Sequence, residues 1–492
     1  MQLPIELDRS LAEPLQNQLY EQLRGLIVTK RLKPNSRLIA TRFLAESLGV
    51  SRTTVLLAYE RLIAEGYVET RPAVGTFVCD TLPDQLPSSP SAAATVEVLP
   101  QSELRPPIFH GPAPPPTPDR RPLIDFWNGP DFRIFPLRTW QRITQHVLES
   151  FGKGITQGSP ASGVLPLKQA IGEWLASHRG IVVDPEQVIV VTGCQQAHHV
   201  AAQMFLRRGD RVVVEWPCPE SVSHLFDSLG AVQCPVPVDE QGIDIDRLPS
   251  GPVTMAYLTP SHQNPMGGTL PTERRERLIQ WARQAGAYLI DNDCDGECRY
   301  RGMGPPSLKS LDPYGLVLCS GSFAKNLGAG LRLGYLVVPP ELVPSAVAVK
   351  TLLDQGNPWL EQMVLAEFIA SGEYDRHLRR VRKIYMERRD CLISRLQRNF
   401  GETQLFGTDA GYHVTWLLPP DFPPASAIQD LARLRGVGVY TVDTRGPLDH
   451  VPCRYADNAL LLGYSSLDER QIQEGVDGLA AVVRECRRKA AG

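Results

Sequence analysis

A proline-rich stretch constrains the fold of this chain more than any other feature of its sequence. From Asp80 to Pro122 the residues are mainly Pro, Ser and Ala, and residues 112–118 read Pro-Ala-Pro-Pro-Pro-Thr-Pro. Such a segment cannot bury enough apolar surface to fold, and its prolines keep it extended. We therefore predict a small domain over residues 1–79, a linker over 80–122 and a large domain over 123–492.

The composition excludes several classes of protein. The formal net charge is −3 over 492 residues, so no global basic excess indicates a nucleic-acid or membrane partner. No run of about 18 apolar residues predicts a transmembrane helix, and the N-terminus lacks the pattern of a signal peptide. The ten cysteines include no Cys-x-x-Cys pair, which favours reduced thiols. We expect a cytoplasmic protein.

The first 79 residues have the pattern of three helices followed by two strands. Apolar residues recur at helical spacing from Pro14 to Lys30, and a short helix is predicted over 42–48, with Gly49 at its end. Ser51 is predicted to cap a third helix over 52–65. Its buried face should consist of Val55, Ala58, Tyr59 and Leu62. Strands at 67–70 and 76–78 flank a turn at 71–75.

This order of elements is typical of a winged helix-turn-helix, in which the start of the third helix enters the major groove of DNA. Arginine there binds guanine edges or phosphates, and hydroxyls bind phosphates or bases. The predicted DNA-contacting residues are Arg42, Ser51, Arg52, Thr53, Thr54, Arg71 and Gly75. The alternative is a three-helix packing or dimerisation domain. Charge does not separate the two, since ten Lys and Arg face nine Asp and Glu over residues 1–80.

The large region alternates helical segments with continuous apolar runs such as Gln187-Val-Ile-Val-Val and Arg211-Val-Val-Val. This pattern predicts a mainly parallel sheet that is covered by helices on both faces. Lys325 follows one of these runs among small residues, which suits a Schiff base with an aldehyde cofactor. Ser322 and Arg332 can hold a phosphate beside it. No metal site is predicted, because the adjacent His198 and His199 point in different directions on a helix.

Two more polar turns follow apolar runs in this region. Thr192-Gly-Cys-Gln-Gln-Ala197 joins a strand to a helix, whose first amides can bind a phosphate. Tyr257-Leu-Thr-Pro-Ser-His-Gln-Asn264 ends in an amide that can bond a phenolic oxygen. Each turn alone is a weak signal, since strand-to-helix glycines and Asn-Pro loops are common.

These motifs together carry a resemblance to known families. Thr41-Arg-Phe-Leu-Ala-Glu-Ser-Leu-Gly-Val-Ser-Arg-Thr-Thr54 and Gly75-Thr-Phe-Val78 resemble a GntR-type winged helix. The three signals of the large region, in this order, resemble the fold-type-I aminotransferases that use pyridoxal 5′-phosphate (PLP), from about Leu123 onward. The combination resembles the MocR subfamily of transcriptional regulators. It implies an α/β fold: a winged helix, a linker, and an aminotransferase-like domain with a small C-terminal subdomain.

The resemblance implies roles for individual residues. Lys325 would form the Schiff base with PLP, and Asn264 would bond the phenolic oxygen of its ring. The phosphate would be held by Ser322, Arg332 and the amides of Cys194 and Gln195.

Several positions depart from the aminotransferase pattern. The acid that pairs with the pyridine nitrogen falls on Asn292, between Asp291 and Asp293. Neighbours in a strand face opposite sides, so neither flanking acid can replace it without a register shift. A neutral amide stabilises a pyridinium poorly, which weakens the electron sink of transamination. Other departures are Cys294 and Gly158 in place of tyrosines, Pro219 in place of a stacking ring, and Arg454 as the nearest arginine for a substrate carboxylate.

We therefore expect a DNA-binding transcriptional regulator, with little transaminase activity, that senses PLP or an amine reacting with it. The resemblance implies a head-to-tail homodimer in which the linker lets each winged helix rest on the partner subunit, and an operator with two half-sites. The alternatives are a working aminotransferase fused to a DNA-binding domain, and a regulator whose degenerate PLP site binds another small molecule.

Overall fold

A computed structural model describes most of the chain, and its two compact units comprise residues 1–107 and 108–492. The described residues are 4–11, 13–72, 74–83, 122–127, 129–293, 295–302, 304–442 and 446–491. Most of the predicted linker, residues 84–121, lies outside them. The domain boundaries at 79 and 122 stay predictions.

The first unit is a winged helix-turn-helix. Its elements are α1 (Leu15–Val28), α2 (Thr41–Leu48), α3 (Arg52–Ala64), β1 (Val68–Arg71) and β2 (Gly75–Val78). Gly49 ends α2 in the left-handed conformation, with φ 64°, which glycine adopts without steric cost. Ser51 caps α3, because its hydroxyl accepts a hydrogen bond from the Thr54 amide at 3.1 Å. The buried face of α3 is Val55, Ala58, Tyr59 and Leu62, as predicted.

The second unit is built on an eight-stranded sheet with the order β4-β11-β10-β9-β8-β5-β6-β7. Strands β10, β9, β8, β5 and β6 run parallel, whereas β11 is antiparallel to both β4 and β10. All four residues of β4 and of β8 are buried, since helices cover both faces. The predicted mainly parallel sheet is confirmed.

The bounds of the elements in this unit follow. The strands of the large sheet are β4 (Val188–Val191), β5 (Arg211–Trp216), β6 (Val232–Asp239), β7 (Gly242–Ile243), β8 (Met255–Leu258), β9 (Tyr288–Asn292), β10 (Val317–Ser322) and β11 (Gly334–Val337). The helices that accompany them are α4 (Leu137–Phe151), α5 (Leu165–Arg179), α6 (Cys194–Phe205), α7 (Glu220–Ser228), α8 (Thr272–Ala285), α9 (Leu308–Leu311), α10 (Ala324–Leu327), α11 (Val343–Asp354) and α12 (Trp359–Ala370).

A smaller subdomain follows the long helix α13 (Glu373–Phe400). Its antiparallel sheet has the order β12-β13-β16-β15, with β12 (Gln404–Phe406), β13 (His413–Leu417), β15 (Tyr440–Thr441) and β16 (Ala459–Gly463). The remaining elements are α14 (Ala425–Leu434), β14 (Val437–Gly438), α15 (Glu469–Ala491) and the short strand β3 (Ile124–Asp125), which pairs with β14. The buried Trp416 of β13 packs in the core that this sheet forms with α13 and α15. The predicted C-terminal subdomain is confirmed.

No helix within the described ranges is long and apolar enough to cross a membrane.

Leu62→Ala should destabilise the winged helix locally. Leu62 is fully buried in the core of the first unit, and removing its side chain leaves a cavity that costs about 2–5 kcal/mol. Hydrogen exchange of the full-length protein should show faster exchange in peptides from α1 and α3. Peptides from the large sheet should keep their exchange rates.

The matched control is Glu60→Ala on the exposed face of the same helix, which should change the free energy of opening by about 0.5 kcal/mol or less. Equal effects of the two substitutions would contradict the packing described for α3.

Candidate functional site

The candidate ligand site lies where the carboxyl ends of β8, β9 and β10 meet the first turn of α6. Loops that follow adjacent parallel strands emerge at the same edge of a sheet. Asn264 follows β8, Asn292 ends β9, and Lys325 follows β10. The tertiary structure thus gathers residues that are up to 61 positions apart in sequence, counted from Asn264 to Lys325.

Gly193, Ser322 and Arg332 form a small cradle at this edge. A Cβ atom built on Gly193 would lie 3.8 Å from Nη2 of Arg332 and 3.9 Å from Oγ of Ser322. Gly193 has φ 129°, which disfavours any other residue, and Arg332 adopts a left-handed conformation with φ 50°. A hydroxyl and a guanidinium that converge on a glycine suit a phosphate group.

The first turn of α6 completes this cradle. Gly193 precedes the helix and provides no side-chain cap, so the amides of Cys194 and Gln195 belong to the helix end that attracts anions. The Gln195 side chain points elsewhere and donates to the carbonyl oxygen of Ser221 at 3.0 Å. The predicted phosphate-binding role of Gln195 therefore concerns its backbone amide and not its side chain.

The Lys325 side chain is partly exposed, and its ammonium forms an ion pair with Asp295. Nζ also lies 5.2 Å from the centroid of the Tyr412 ring, within the range of a cation–π contact. The charge of Lys325 and a hydrogen bond from His262 hold the pKa of Asp295 below its usual value, although burial opposes them. Lys325 follows Ser322 of the cradle by three residues, and its amine is held by an acid of the segment after β9.

A buried network holds the loop that carries Asn264. Glu215 accepts hydrogen bonds from the amide and hydroxyl of Thr259, at 3.1 and 2.5 Å, and from the amide of the Gln263 side chain at 3.3 Å. The Thr259 hydroxyl in turn accepts from the backbone amide of Asn264 at 3.0 Å. Burial raises the pKa of Glu215 to about 7. This network makes Asn264 a residue of a constrained loop.

Asn292 lies on the site face of β9. Its side-chain amide donates to the Tyr257 hydroxyl at 2.7 Å. Behind this pair, Nε2 of His198 lies 3.2 Å from the Ser320 hydroxyl, and its ring meets Tyr257 edge-on. Burial lowers the pKa of His198 to about 3, so this histidine is neutral. No carboxylate takes part in these contacts.

Asp291 and Asp293 do not share these contacts of Asn292. Asp293 forms an ion pair with Arg179. Asp291 is fully buried, and burial together with the charge of Asp293 raises its pKa to about 7. The strand alternation that separates both acids from Asn292 agrees with the register, in which Asn292 pairs with Ser320.

The other positions that depart from the aminotransferase pattern lie in different parts of the structure. Pro219 precedes α7, Gly158 is exposed, and Cys294 lies outside the described residues. Arg454 donates to the carbonyl oxygen of Val238 at 2.9 Å and stacks on Tyr455 at 4.5 Å. The structure thus engages Arg454 with its own chain, and its role as a carboxylate receptor stays a prediction.

The candidate DNA-binding surface begins at the capped end of α3. Ser51, Arg52 and Thr53 are exposed, and Arg42 at the start of α2 is exposed as well. Thr54 is half-buried, and its hydroxyl lies 2.8 Å from the Ser51 hydroxyl. Thr54 therefore serves the cap of the helix, whereas Arg52 and Thr53 are available to a ligand.

In the turn between β1 and β2, the predicted DNA-contacting residues Arg71 and Gly75 also have contacts within the protein. Arg71 donates to Glu69 at 2.8 Å and to the Asn35 side chain at 2.9 Å, so part of its guanidinium is already engaged, while further N–H groups are left for a phosphate. A Cβ atom on Gly75 would lie 2.7 Å from Nε of Arg37. The φ of 137° at Gly75 favours glycine, and the nearby Arg37 is an exposed cation that sequence reasoning missed.

Sequence reasoning also missed Asp295 and His262 beside Lys325. Both lie inside motifs that were recognised, namely Asp291-Asn-Asp-Cys-Asp295 and Pro260-Ser-His-Gln263. The available signal was that each of these polar motifs follows an apolar run of the sequence. The two residues are joined only by the fold, because 32 residues lie between His262 and Asp295 in the sequence. Within the described part of the chain, no group of His, Cys, Asp and Glu is arranged to hold a metal ion.

Comparison with known families agrees with this two-part architecture. Residues 15–78 match the family "Bacterial regulatory proteins, gntR family", and residues 135–452 match "Aminotransferase class I and II". The protein is therefore of the class in which a GntR-type DNA-binding domain is fused to a fold-type-I aminotransferase domain.

Two relatives share this arrangement over nearly their whole length. The probable rhizopine catabolism regulatory protein MocR of Rhizobium meliloti is 34% identical, over 96% of this chain and 94% of its own. The pyridoxine biosynthesis transcriptional regulator PdxR of Corynebacterium glutamicum is 32% identical, over 95% of both chains. The chain belongs to the MocR subfamily of GntR-type transcriptional regulators.

A solved structure is similar to the large unit. LysN, an α-aminoadipate aminotransferase of Thermus thermophilus, matches with a TM-score of 0.65 and 29% identity, over 74% of this chain and 92% of its own. That structure holds N-(5′-phosphopyridoxyl)-L-leucine.

Arg332→Gln should remove the preference for a phosphorylated ligand. Hydrogen bonds to charged groups contribute about 1.5–3 kcal/mol, so affinity for pyridoxal 5′-phosphate should fall about 10- to 100-fold. Affinity for pyridoxal, which lacks the phosphate, should change little. Isothermal titration of both ligands measures the difference.

Arg301→Gln, at an exposed arginine outside the cradle, is the control and should bind both ligands as the parent does. A parallel loss of pyridoxal binding in Arg332→Gln would contradict a role of Arg332 in holding the phosphate.

Proposed function

We propose that this protein is a DNA-binding transcriptional regulator whose aminotransferase-like domain binds PLP at Lys325 and senses PLP or an amine that reacts with it. The observation that carries the proposal is the cradle of Gly193, Ser322 and Arg332, since Lys325 follows Ser322 by three residues just after the end of β10. An amine beside an anion-binding cradle matches the two functional ends of PLP, its aldehyde and its phosphate. The winged helix supplies the contact with operator DNA.

The residues present fit PLP, which is the cofactor of this domain. The glycine at 193 leaves the cradle open, since any side chain there would enter it. Ser322, Arg332 and the amides of Cys194 and Gln195 would hold the phosphate, and Asn264 would bond the phenolic oxygen. When bound, PLP supplies an electrophilic carbon and an electron-withdrawing ring.

The chain's own residues favour binding over turnover. Asn292 offers a neutral amide where a pyridine nitrogen would lie, and it already bonds the Tyr257 hydroxyl. A protonated ring nitrogen needs a nearby negative charge, and Asp291 and Asp293 lie away from these contacts. Lys325 can still hold a ligand while proton transfer at the substrate carbon is slow. The domain would therefore act mainly as a sensor.

A ligand can control DNA binding only if it favours one arrangement of the protein over another. We infer that this arrangement is set in a head-to-tail homodimer, in which the linker carries each winged helix onto the partner subunit. Apolar residues that are about half exposed on α4 and just after it support an interface there, namely Leu137, Leu148, Phe151 and Ile155. Two winged helices in a symmetric dimer predict two operator half-sites. Action on DNA implies a cytoplasmic location.

PLP added to the purified protein should produce a visible absorbance band that depends on Lys325. A Schiff base between the amine and the cofactor absorbs at longer wavelength than free PLP, and Lys325→Ala removes the amine. Lys383→Ala, at an exposed lysine of α13, is the control and should keep the band. Absence of the band in the parent protein would support the alternative of a degenerate site that binds another molecule.

The same samples distinguish a sensor from an aminotransferase. Incubation with several amino donors and a keto acid should give at most a single turnover, because Asn292 cannot stabilise a protonated ring. Steady multiple turnovers would refute the regulator without efficient transaminase activity. They would favour the alternative, a working aminotransferase fused to a DNA-binding domain.

Arg52→Ala should weaken operator binding by about 1–3 kcal/mol if Arg52 contacts a base edge. The exposed position of Arg52 in the first turn of α3 is the structural reason. Fluorescence anisotropy with a selected operator and with random DNA measures the effect. Arg61→Ala, farther along the same helix and paired with Glu65, is the control. An equal loss on both DNAs would instead assign Arg52 to phosphate contacts.

A further inference from the structure

The ion pair between Lys325 and Asp295 belongs to a longer buried arrangement. One carboxylate oxygen of Asp295 contacts Nζ of Lys325, and the other lies 3.4 Å from Nδ1 of His262. The side chain of Asp295 is 5% exposed and that of His262 is fully buried. Three elements thus contribute one residue each: the loop after β8, the segment after β9 and the helix α10.

The position of His262 is enforced by three glycines. Gly267, Gly407 and Gly411 surround the ring with positive φ angles of 86°, 74° and 86°, and a Cβ atom on Gly407 or Gly411 would lie less than 3 Å from it. Gly267 follows β8, whereas Gly407 and Gly411 lie in the loop between β12 and β13, so the cage is a product of the fold. Within the described residues, His262 has no hydrogen-bond partner apart from its long contact with Asp295. The imidazole is therefore held against that carboxylate.

Among the described residues, the other ionisable groups close to Asp295 are largely uncharged. Burial raises the pKa of Glu297 to about 8 and that of Cys298 to about 12, so both are neutral near pH 7. The groups that face this region from β13 and α13 are also neutral, because burial raises the pKa of their tyrosines and lowers that of their histidines: Tyr412, His413, Tyr374 and His377. The Arg382 side chain is engaged by the carbonyl oxygen of Glu297 at 2.5 Å.

We propose that Asp295, held in place by His262, is a positioning residue that keeps Lys325 as an ammonium until a ligand arrives. The inference rests on the proposed function, in which Lys325 is the reacting amine. A carboxylate in contact with an ammonium favours the charged form and directs Nζ. The pair would therefore set the pH above which the site accepts an aldehyde.

The chemical step requires this proton to leave. An amine attacks an aldehyde only through a free electron pair, so the ammonium must first lose one proton, which would pass by way of the Asp295 carboxylate to solvent. The N–C bond would then form, and the aldehyde oxygen would leave as water with the two hydrogens that remain on the nitrogen. Asp295 thus acts before the bond forms.

Trace labelling of the cofactor-free, full-length protein with acetic anhydride tests the inference without PLP. The yield at Lys325, measured by mass spectrometry across pH, gives the midpoint at which its amine becomes reactive. Asp295→Asn should lower this midpoint by roughly one unit or more, since an opposite charge at this distance shifts a titration by about 1–3 units. Asp295→Glu should restore part of the shift. The exposed Lys383 is an internal reference, and Asp449→Asn, at an exposed aspartate, is the matched control.

An unchanged midpoint in folded Asp295→Asn would overturn the inference. If that variant does not fold, the parent protein still decides, because Lys325 should react at or above the pH of Lys383, and a midpoint well below it would refute the ion pair. In a second experiment, PLP is added across the same pH range. The visible band of Asp295→Asn should then develop at lower pH than that of the parent protein. A shifted labelling midpoint without any band would sustain the role of Asp295 and contradict the proposed function instead.

Discussion

The pairing of β11 between β4 and β10 is the constraint on which the ligand site depends. In this register Gly334 lies opposite both Val191 and Ser322, so the end of β4 meets the end of β10. A Cβ atom on Gly334 would lie 2.6 Å from the carbonyl oxygen of Gly321 and 3.1 Å from Cα of Gly193. Only glycine permits this approach, which brings the first turn of α6 beside Ser322 and Arg332. Without it, the two halves of the cradle would separate.

Neutral and acidic side chains are separated around the end of β9. The site side has the neutral Asn292, Tyr257 and His198, whereas Asp291 and Asp293 lie apart from that group, and Asp293 pairs with Arg179. A buried carboxylate needs such a partner, since desolvation otherwise favours its protonated form. Asp291 in this strand and Asp293 just after it are thus close in sequence to Asn292 but take no part in its hydrogen bond with Tyr257. The aminotransferase fold is thus present with a neutral amide at position 292.

Much of the winged helix and of the site could be predicted from the sequence. Ser51, Gly49 and the spacing of Val55, Ala58, Tyr59 and Leu62 specify α2 and α3 through local interactions that act within a few residues. The contacts of Arg71 and Gly75 could not be predicted, because they depend on Arg37 and Asn35, which approach only when β2 pairs with the preceding segment. The ion pair of Lys325 with Asp295 could not be predicted either, because only the fold brings these two residues together.

The sequence by itself determined the two-part organisation, the helix-turn-helix pattern, the mainly parallel sheet and the identity of the candidate lysine. Each of these follows from composition, periodicity or a short motif, which are properties of neighbouring residues. Only the tertiary structure decided that Gly193, Ser322 and Arg332 form one cradle, that His262 is enclosed by three glycines, and that Arg454 is engaged by Val238. The physical reason is that these contacts join residues far apart in the chain, and burial and strand register set their geometry.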